Sequence, residues 1–213
     1  MDCKVCGSTT IRVYDKQFDI NYFRCPDCEF ISMDQSRIVS FHEERKIYDM
    51  HNNTIENQGY VDMFKEFIDT CVLPYKKQGK LLDFGSGPEP VLVQVIDRDY
   101  KFETMHYDIH YSPTMVYEGH LFDVIVSTEV VEHINEPLEF FQLLSSLLRK
   151  DGILSIMTLF HLNDDEHFSG WWYRRDKTHV SFYTPKTLIR IANLCGLDLI
   201  YTDKKRMATF SKR

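Results

Sequence analysis

Three groups of residues in this chain have the types and spacing to do chemistry. Glu129-Val-Val-Glu132-His133 sets two carboxylates and an imidazole close together. On one helical turn they would be i, i+3 and i+4 and share a face. Such a set can hold a divalent ion or move a proton. His179 lies downstream, after a run of aromatic and guanidinium groups, Trp171-Trp172-Tyr173-Arg174-Arg175. Cys3-Lys-Val-Cys6 and Cys25-Pro-Asp-Cys28 form two Cys-x-x-Cys pairs. Four thiolates on two knuckles suit closed, tetrahedral zinc, which supports structure and does no chemistry. The competing reading is a redox dithiol, which needs one pair in a strand–helix context.

Several elements must position these groups. Lys80-Leu81-Leu82-Asp83-Phe84-Gly85-Ser86-Gly87 is a short apolar run ending in an acid, with two glycines at alternate positions. It predicts a buried strand feeding a tight turn where backbone approaches a ligand closely. Pro88 to Ile96 predicts a helix opening at Pro88, where a missing N–H costs nothing. Strand, glycine turn and helix together make the nucleotide-binding start of an open α/β sheet. Phe102 to Ile109 predicts a second strand, and Asp108 lies about twenty residues past the turn, where a carboxylate accepts from ribose hydroxyls. Leu121 to Ser127 reads as a strand buried on both faces. It delivers Thr128 and Glu129 to the carboxyl edge, where such sheets bind ligands. Pro137 starts a helix running to Leu148, with Lys150-Asp151-Gly152 as its stop. Ile153 to Leu159 is a further strand. A helix runs from Thr184-Pro185 to Gly196, and Leu197–Tyr201 with Met207–Phe210 predicts a closing antiparallel hairpin.

The 213 residues support one full core with a small appendage. Residues 1–38 are the expected zinc ribbon, built on a hairpin of Ile11–Asp15 and Ile20–Arg24. Residues 39–213 are the larger domain, opening with helices between Ser40 and Tyr75. The polar stretch from Tyr48 through His51 to Thr54 is either a solvated connection or a lid over a cofactor. The segment from His161 to Val180 is either a functional loop or core aromatics with solvated charges. Cys71 and Cys195 fall in apolar helical patterns as buried spectators. No stretch has the apolar length to cross a bilayer, and the charged, cysteine-bearing N-terminus is not a signal peptide. Six cysteines without a secretion signal point to a reducing cytoplasm. A net charge of −7 gives no case for general nucleic-acid binding, although a local basic patch could still read one RNA.

Taken together, Leu81–Gly87, Asp108, Phe122–His133 and Lys150-Asp-Gly-Ile-Leu resemble the class I S-adenosylmethionine-dependent methyltransferases, over about Lys80 to Phe210. The resemblance implies an α/β fold: a doubly wound, Rossmann-like, mostly parallel sheet with an antiparallel C-terminal hairpin. It implies S-adenosylmethionine held by Asp83, Gly85, Ser86, Gly87, Asp108, Ile109, Thr128 and Glu129, with Tyr48 and His51 from the lid. Glu89 and a missing third glycine depart from the family pattern. The span from Asp108 to Leu121 is short for a third strand and its helix, which predicts an abbreviated wall on that side. The Glu129–His133 motif is similar to the metal-binding Glu-x-x-Glu-His of the polyprenyl-quinone O-methyltransferases and the small-RNA 3′-terminal 2′-O-methyltransferases. In the latter a downstream histidine joins, here His179. That likeness implies a second, divalent metal on Glu129, Glu132, His133 and His179; Glu-His also stands here in small-molecule methyltransferases that use no metal.

The expected reaction is methyl transfer to a small-molecule acceptor, O-methylation favoured, with His133 or His179 as base. Trp171–Arg175 would close over that acceptor, and Arg174 and Arg175 suggest that it carries a carboxylate or phosphate. The alternatives are RNA methylation of the 2′-O type, with Trp171 and Trp172 stacking on bases, and a cofactor-binding module without catalysis.

Overall fold

Leu81, Leu82, Val124, Ile125, Val126, Leu154 and Ile156 have no exposed surface, the condition of strands covered on both faces. The computed structural model describes residues 1–50 and 54–213. In chain order the elements are β1 (Ile11–Asp15), β2 (Ile20–Arg24), β3 (Ile31–Met33), α1 (Phe41–Tyr48), α2 (Gln58–Cys71), β4 (Gln78–Phe84), α3 (Val91–Asp99) and β5 (Lys101–Tyr107). Then follow β6 (Phe122–Thr128), α4 (Pro137–Leu147), β7 (Leu148–Met157), α5 (Asp165–Gly170), β8 (Ser181–Phe182), α6 (Pro185–Leu194), β9 (Leu197–Thr202) and β10 (Met207–Lys212).

The main sheet has the order β5-β4-β6-β7-β10-β9. Its first four strands are parallel, and β10 runs antiparallel to both β7 and β9. This is the expected doubly wound sheet with a closing hairpin. The chain enters at β4 and builds outward in both directions, which places a switch point at the carboxyl end of β4. Between Asp108 and Phe122 there is no strand of the main sheet, so β5 is its edge. The wall predicted to be abbreviated is abbreviated.

Helix boundaries follow local chemistry. Asn57 caps α2 through Tyr60 N–H, and the helix buries Val61, Phe64, Phe67, Ile68 and Cys71. Thr184 caps α6 in a reciprocal arrangement with Thr187, with Pro185 in the first turn. Two expectations fail in detail. Helix α3 begins at Val91 rather than at Pro88, because Gly87 turns the chain at φ +71° and Pro88 continues that turn. Lys150-Asp151-Gly152 does not stop α4, which ends at Leu147. Those residues lie inside β7, where Asp151 takes φ +60° and the register against β6 shifts, a bulge rather than a cap.

The cysteine-bearing hairpin forms a second sheet of order β1-β2-β3-β8. Its last strand comes from far along the chain: Ile31 pairs with Phe182 and Ser32 with Ser181. Cys3, Val5, Cys25, Cys28 and Phe30 pack in one apolar cluster with Phe141 on α4, Leu188 on α6 and Tyr183. Thr187 Oγ1 donates to Cys28 O at 2.8 Å. No described helix is long and apolar enough to cross a membrane.

Candidate active site

Strands β4, β5 and β6 end on one side of the sheet, and the residues that follow them line a cavity of about 960 Å³. After β4 come Gly85, Ser86 and Gly87. Gly85 has φ +93°, and a Cβ there would sit 2.3 Å from Val130 Cγ2, so only glycine fits. Gly87 also has positive φ, but a Cβ there would meet nothing within 4 Å. The first glycine lets the turn pack on Val130; the second leaves open space in front of the backbone. After β5 comes Asp108. Its Oδ2 accepts from Gly87 N at 2.8 Å, and its Oδ1 accepts from His110 N at 2.8 Å and Tyr111 N at 3.0 Å. Three backbone donors fix this carboxylate where the turn after β4 meets the turn after β5.

Asp83, the last acid of β4, is almost completely buried. Burial, and then the charge of Asp108, raise its pKa to about 7. Its Oδ1 has no hydrogen-bond partner, and neither have Ser86 Oγ, His110 Nδ1 and Glu132 Oε2. All four residues line the cavity. A buried polar atom without a partner is costly, and these four belong to residues gathered around one cavity.

Helix α1 covers the cavity from the side of β5. Phe41 stacks on His110 with ring centroids 4.1 Å apart, Glu44 Oε2 lies 3.1 Å from His110 Nε2, and Tyr111 donates to Asp49 Oδ1 at 2.7 Å. The Tyr48 ring meets His110 and His133 edge-on, at 5.4 and 5.2 Å. Of the stretch expected as a solvated connection or a lid, Tyr48 lines the cavity; His51 lies outside the described residues. Sequence reasoning missed Phe41, Glu44 and His110. The only signal for His110 was its place two residues after Asp108.

After β6 the chain turns sharply. Glu129 takes φ +53°, and a short 3-10 turn spans Val131–His133. The expected α-helical face of three ligands does not form. Glu132, His133 and His179 come together with their ligand atoms within 4.8 Å of one another. Glu129, expected as a fourth ligand, is not in that group; its Oε2 lies 3.4 Å from the Tyr173 hydroxyl. The Tyr173 hydroxyl donates to Glu132 Oε1 at 2.5 Å, and His179 Nδ1 donates to Tyr173 O at 2.7 Å. His133 Nδ1 donates to Thr178 O at 3.0 Å. Carbonyl partners at both Nδ1 atoms fix the tautomer, so Nε2 carries the lone pair in each neutral ring. Burial, and then the charge of Glu129, push the Glu132 carboxyl far above its ordinary range. Burial also raises Glu129.

The aromatic and cationic run after α5 divides. Trp172 and Tyr173 line the cavity, with Trp172 62% exposed. Trp171 packs instead with Phe168, Tyr173 and Phe182. Arg174 is buried, and it is committed to Asp15, Phe168 O and Ser169 O. Arg175 is exposed and stands outside the cavity lining. Among the described residues, Glu44, Asp83, Asp108, Glu129, Glu132 and Asp176 line the cavity, without any lysine or arginine. The expected guanidinium grip on an anionic acceptor is therefore absent from the described lining. Glu89 also lies outside it, and its Oε1 accepts from Gln94 Nε2 at 3.3 Å.

The four cysteines form a second cluster, with sulfur atoms within 4.8 Å of one another. Val5 N donates to Cys3 Sγ and Cys28 N to Cys25 Sγ, each at 3.4 Å. Gly7 and Glu29, the residues after the second cysteine of each pair, both take positive φ. Two equivalent knuckles with amide donors to sulfur fit a tetrahedral thiolate-bound zinc ion.

A family profile described as a methyltransferase domain matches residues 58–202, more than half of the chain. The chain belongs to the methyltransferase-domain family. One methyltransferase relative is the ubiquinone biosynthesis O-methyltransferase of Pelagibacter ubique, 33% identical over 96 residues, covering 41% of this chain and 40% of that protein. The chain spans less than half the length of the curated relatives it matches. In fold it is similar to the mitomycin 7-O-methyltransferase MmcR (TM-score 0.56, 9% identity, 82% of this chain and 59% of that one). It is also similar to the calicheamicin-biosynthesis methyltransferase CalO1 in its SAH-bound form (TM-score 0.53, 12% identity, 81% and 59%). At these identities the structural likeness concerns the methyltransferase fold.

Proposed function

We propose that this protein transfers the methyl group of S-adenosylmethionine to a hydroxyl on a small-molecule acceptor. The observation that carries this reading is one cavity that joins the glycine turn and Asp108 to the Glu132–His133–His179 cluster. Family membership and relatives named as O-methyltransferases support it, as does the carboxylate-rich lining, which suits a ligand carrying sulfonium and ammonium charge.

In this reading Asp108 accepts from the ribose hydroxyls while Gly87, His110 and Tyr111 hold it still. Ile109 and Tyr111 flank the base, and Asp83, Ser86, Thr128 and Glu129 line the methionine side. When bound, S-adenosylmethionine supplies an already activated methyl group, so the protein has to position the acceptor and take its proton. His179 or His133 takes that proton on Nε2, and Trp172 with Tyr48 covers the acceptor. A divalent ion fits the same three side chains, since Glu132 Oε2 has no partner; it would supply acidity to a bound hydroxyl. An RNA acceptor needs cations for its phosphates, which the described lining lacks. The reading as a module without catalysis rested on Glu89, which is outside the cavity lining, and on the short span between Asp108 and Leu121, which does lack a strand; turnover to S-adenosylhomocysteine with any acceptor excludes it. Cys3, Cys6, Cys25 and Cys28 hold a structural zinc ion in this reading.

Calorimetric titration with S-adenosylmethionine tests the cofactor, and tritiated-methyl transfer to a panel of phenols, catechols and short RNAs tests the acceptor. Binding that disappears in Asp108→Ala supports the reading. No binding at millimolar ligand, or transfer to RNA alone, overturns it.

A further inference from the structure

The segment 174–182 carries His179, and it also carries Thr178, whose carbonyl orients His133. Both ends of this segment are fastened to the cysteine-bearing hairpin. At one end Arg174 pairs with Asp15 at the end of β1, and its guanidinium also stacks over Phe18, 5.3 Å from the ring centroid. At the other end Met33 N donates to Val180 O at 2.8 Å, and β8 completes the hairpin's sheet. Val180 also donates from its N–H to Glu132 O at 2.8 Å.

A buried ion pair is an expensive way to hold a fold together. Desolvation offsets most of the attraction, and an apolar pair of similar volume often serves stability as well. What such a pair supplies is one geometry, because an arginine fork satisfied on several sides has one orientation. Arg174 donates to Asp15, Phe168 O, Ser169 O and Gln17 Oε1. The neighbouring residue, Tyr173, gives its carbonyl to His179 and its hydroxyl to Glu132.

We propose that the hairpin is a positioning element for the catalytic cluster, and that Asp15 and Arg174 are positioning residues which set the tautomer and orientation of His179. This rests on the reading of His179 as part of the methyl-transfer cavity. The cofactor side is independent of it, since the contacts described for Asp83, Gly85, Gly87 and Asp108 are made within the main domain.

The test compares wild-type protein with Asp15→Asn and Arg174→Lys, each labelled with ¹⁵N-histidine and saturated with S-adenosylhomocysteine near neutral pH. Long-range ¹H–¹⁵N spectra report which nitrogen carries the proton, and His179→Gln assigns the signal. The expected result is an Nδ1-protonated His179 in wild type that becomes a tautomer mixture in the variants, while S-adenosylhomocysteine affinity stays within about twofold. An unchanged His179 tautomer in folded variants overturns the proposal. So does affinity lost together with the tautomer, which would mean that the pair supports the whole chain. If Asp15→Asn does not fold, Arg174→Lys, which keeps the charge and loses the fork, carries the comparison. Wild-type protein that fails to bind S-adenosylhomocysteine would sink the functional reading above, and the tautomer comparison without ligand would still decide this one.

Discussion

The Tyr173 hydroxyl lies 2.5 Å from Glu132 Oε1, and it is the hydrogen bond that ties this buried carboxyl to the aromatic segment. Glu132 has no exposed surface, and its other oxygen has no partner. Tyr173→Phe removes the donor and leaves the first oxygen unsatisfied as well. It should lower stability by about 1–3 kcal/mol, read from the denaturant midpoint, with S-adenosylmethionine affinity unchanged. A variant as stable as wild type would mean that Glu132 finds another donor.

Asp83 gives a pH dependence whose sign follows from its burial. Its pKa in the ligand-free fold is raised to about 7, above the ordinary carboxylate value, so the folded protein holds a proton that the unfolded chain has released. Stability from this group is present at low pH and is lost as pH rises toward 7. A cationic ligand beside Asp83 favours the charged carboxylate. Affinity for S-adenosylmethionine should therefore rise by up to about tenfold per pH unit below that pKa and level off above it. Calorimetry between pH 6 and 8 should show the rise in wild type and a flat profile in Asp83→Asn. A flat wild-type profile would contradict this assignment.

Gly85 faces Val130 at a distance no side chain tolerates. Gly85→Ala adds a clash and a methyl group at φ +93°, and it should cost roughly 1–3 kcal/mol from the backbone alone. Pairing it with Val130→Ala relieves the clash and leaves the backbone term, so the double variant should recover part of the loss in a urea melt. Full recovery would show that the conformation itself is unstrained.

The cysteine cluster makes a claim about metal content. Elemental analysis of purified protein should find about one zinc ion per chain. Cys25→Ser, or a strong chelator, should lower Tm, because thiolate-bound zinc contributes folding energy directly. Protein without zinc and with an unchanged Tm would remove the metal from the account.

The parallel strands were legible because Leu81-Leu82 and Val124-Ile125-Val126 are uninterrupted apolar runs, a pattern that buried strands share. The turn after β4 was legible because only glycine tolerates its backbone, and Asp108 because its offset from that turn reflects a fixed βαβ length. Glu129 was misplaced because sequence spacing assumes a regular helix, whereas the chain leaves β6 through a positive φ and a 3-10 turn. Arg174 was assigned to an acceptor because a guanidinium in an aromatic loop looks the same in sequence whether it faces a ligand or a carboxylate. Its partner Asp15 lies on β1, and nothing local announces the pairing. The same holds for β8, two residues whose partner strand is Ile31–Met33.

That short strand also ties the cysteine-bearing sheet to a distant part of the chain. Cys3 to Cys28 are near neighbours in sequence, so the knuckles can close around a metal while the rest of the chain is still unformed. The sheet they belong to is incomplete without Ser181 and Phe182, which pair with Ser32 and Ile31 from about 150 residues further along the chain. Pairings between such distant residues raise the contact order, which slows folding. The hairpin's sheet is thus shared between two distant stretches of the chain, and the strand that completes it lies two residues from His179.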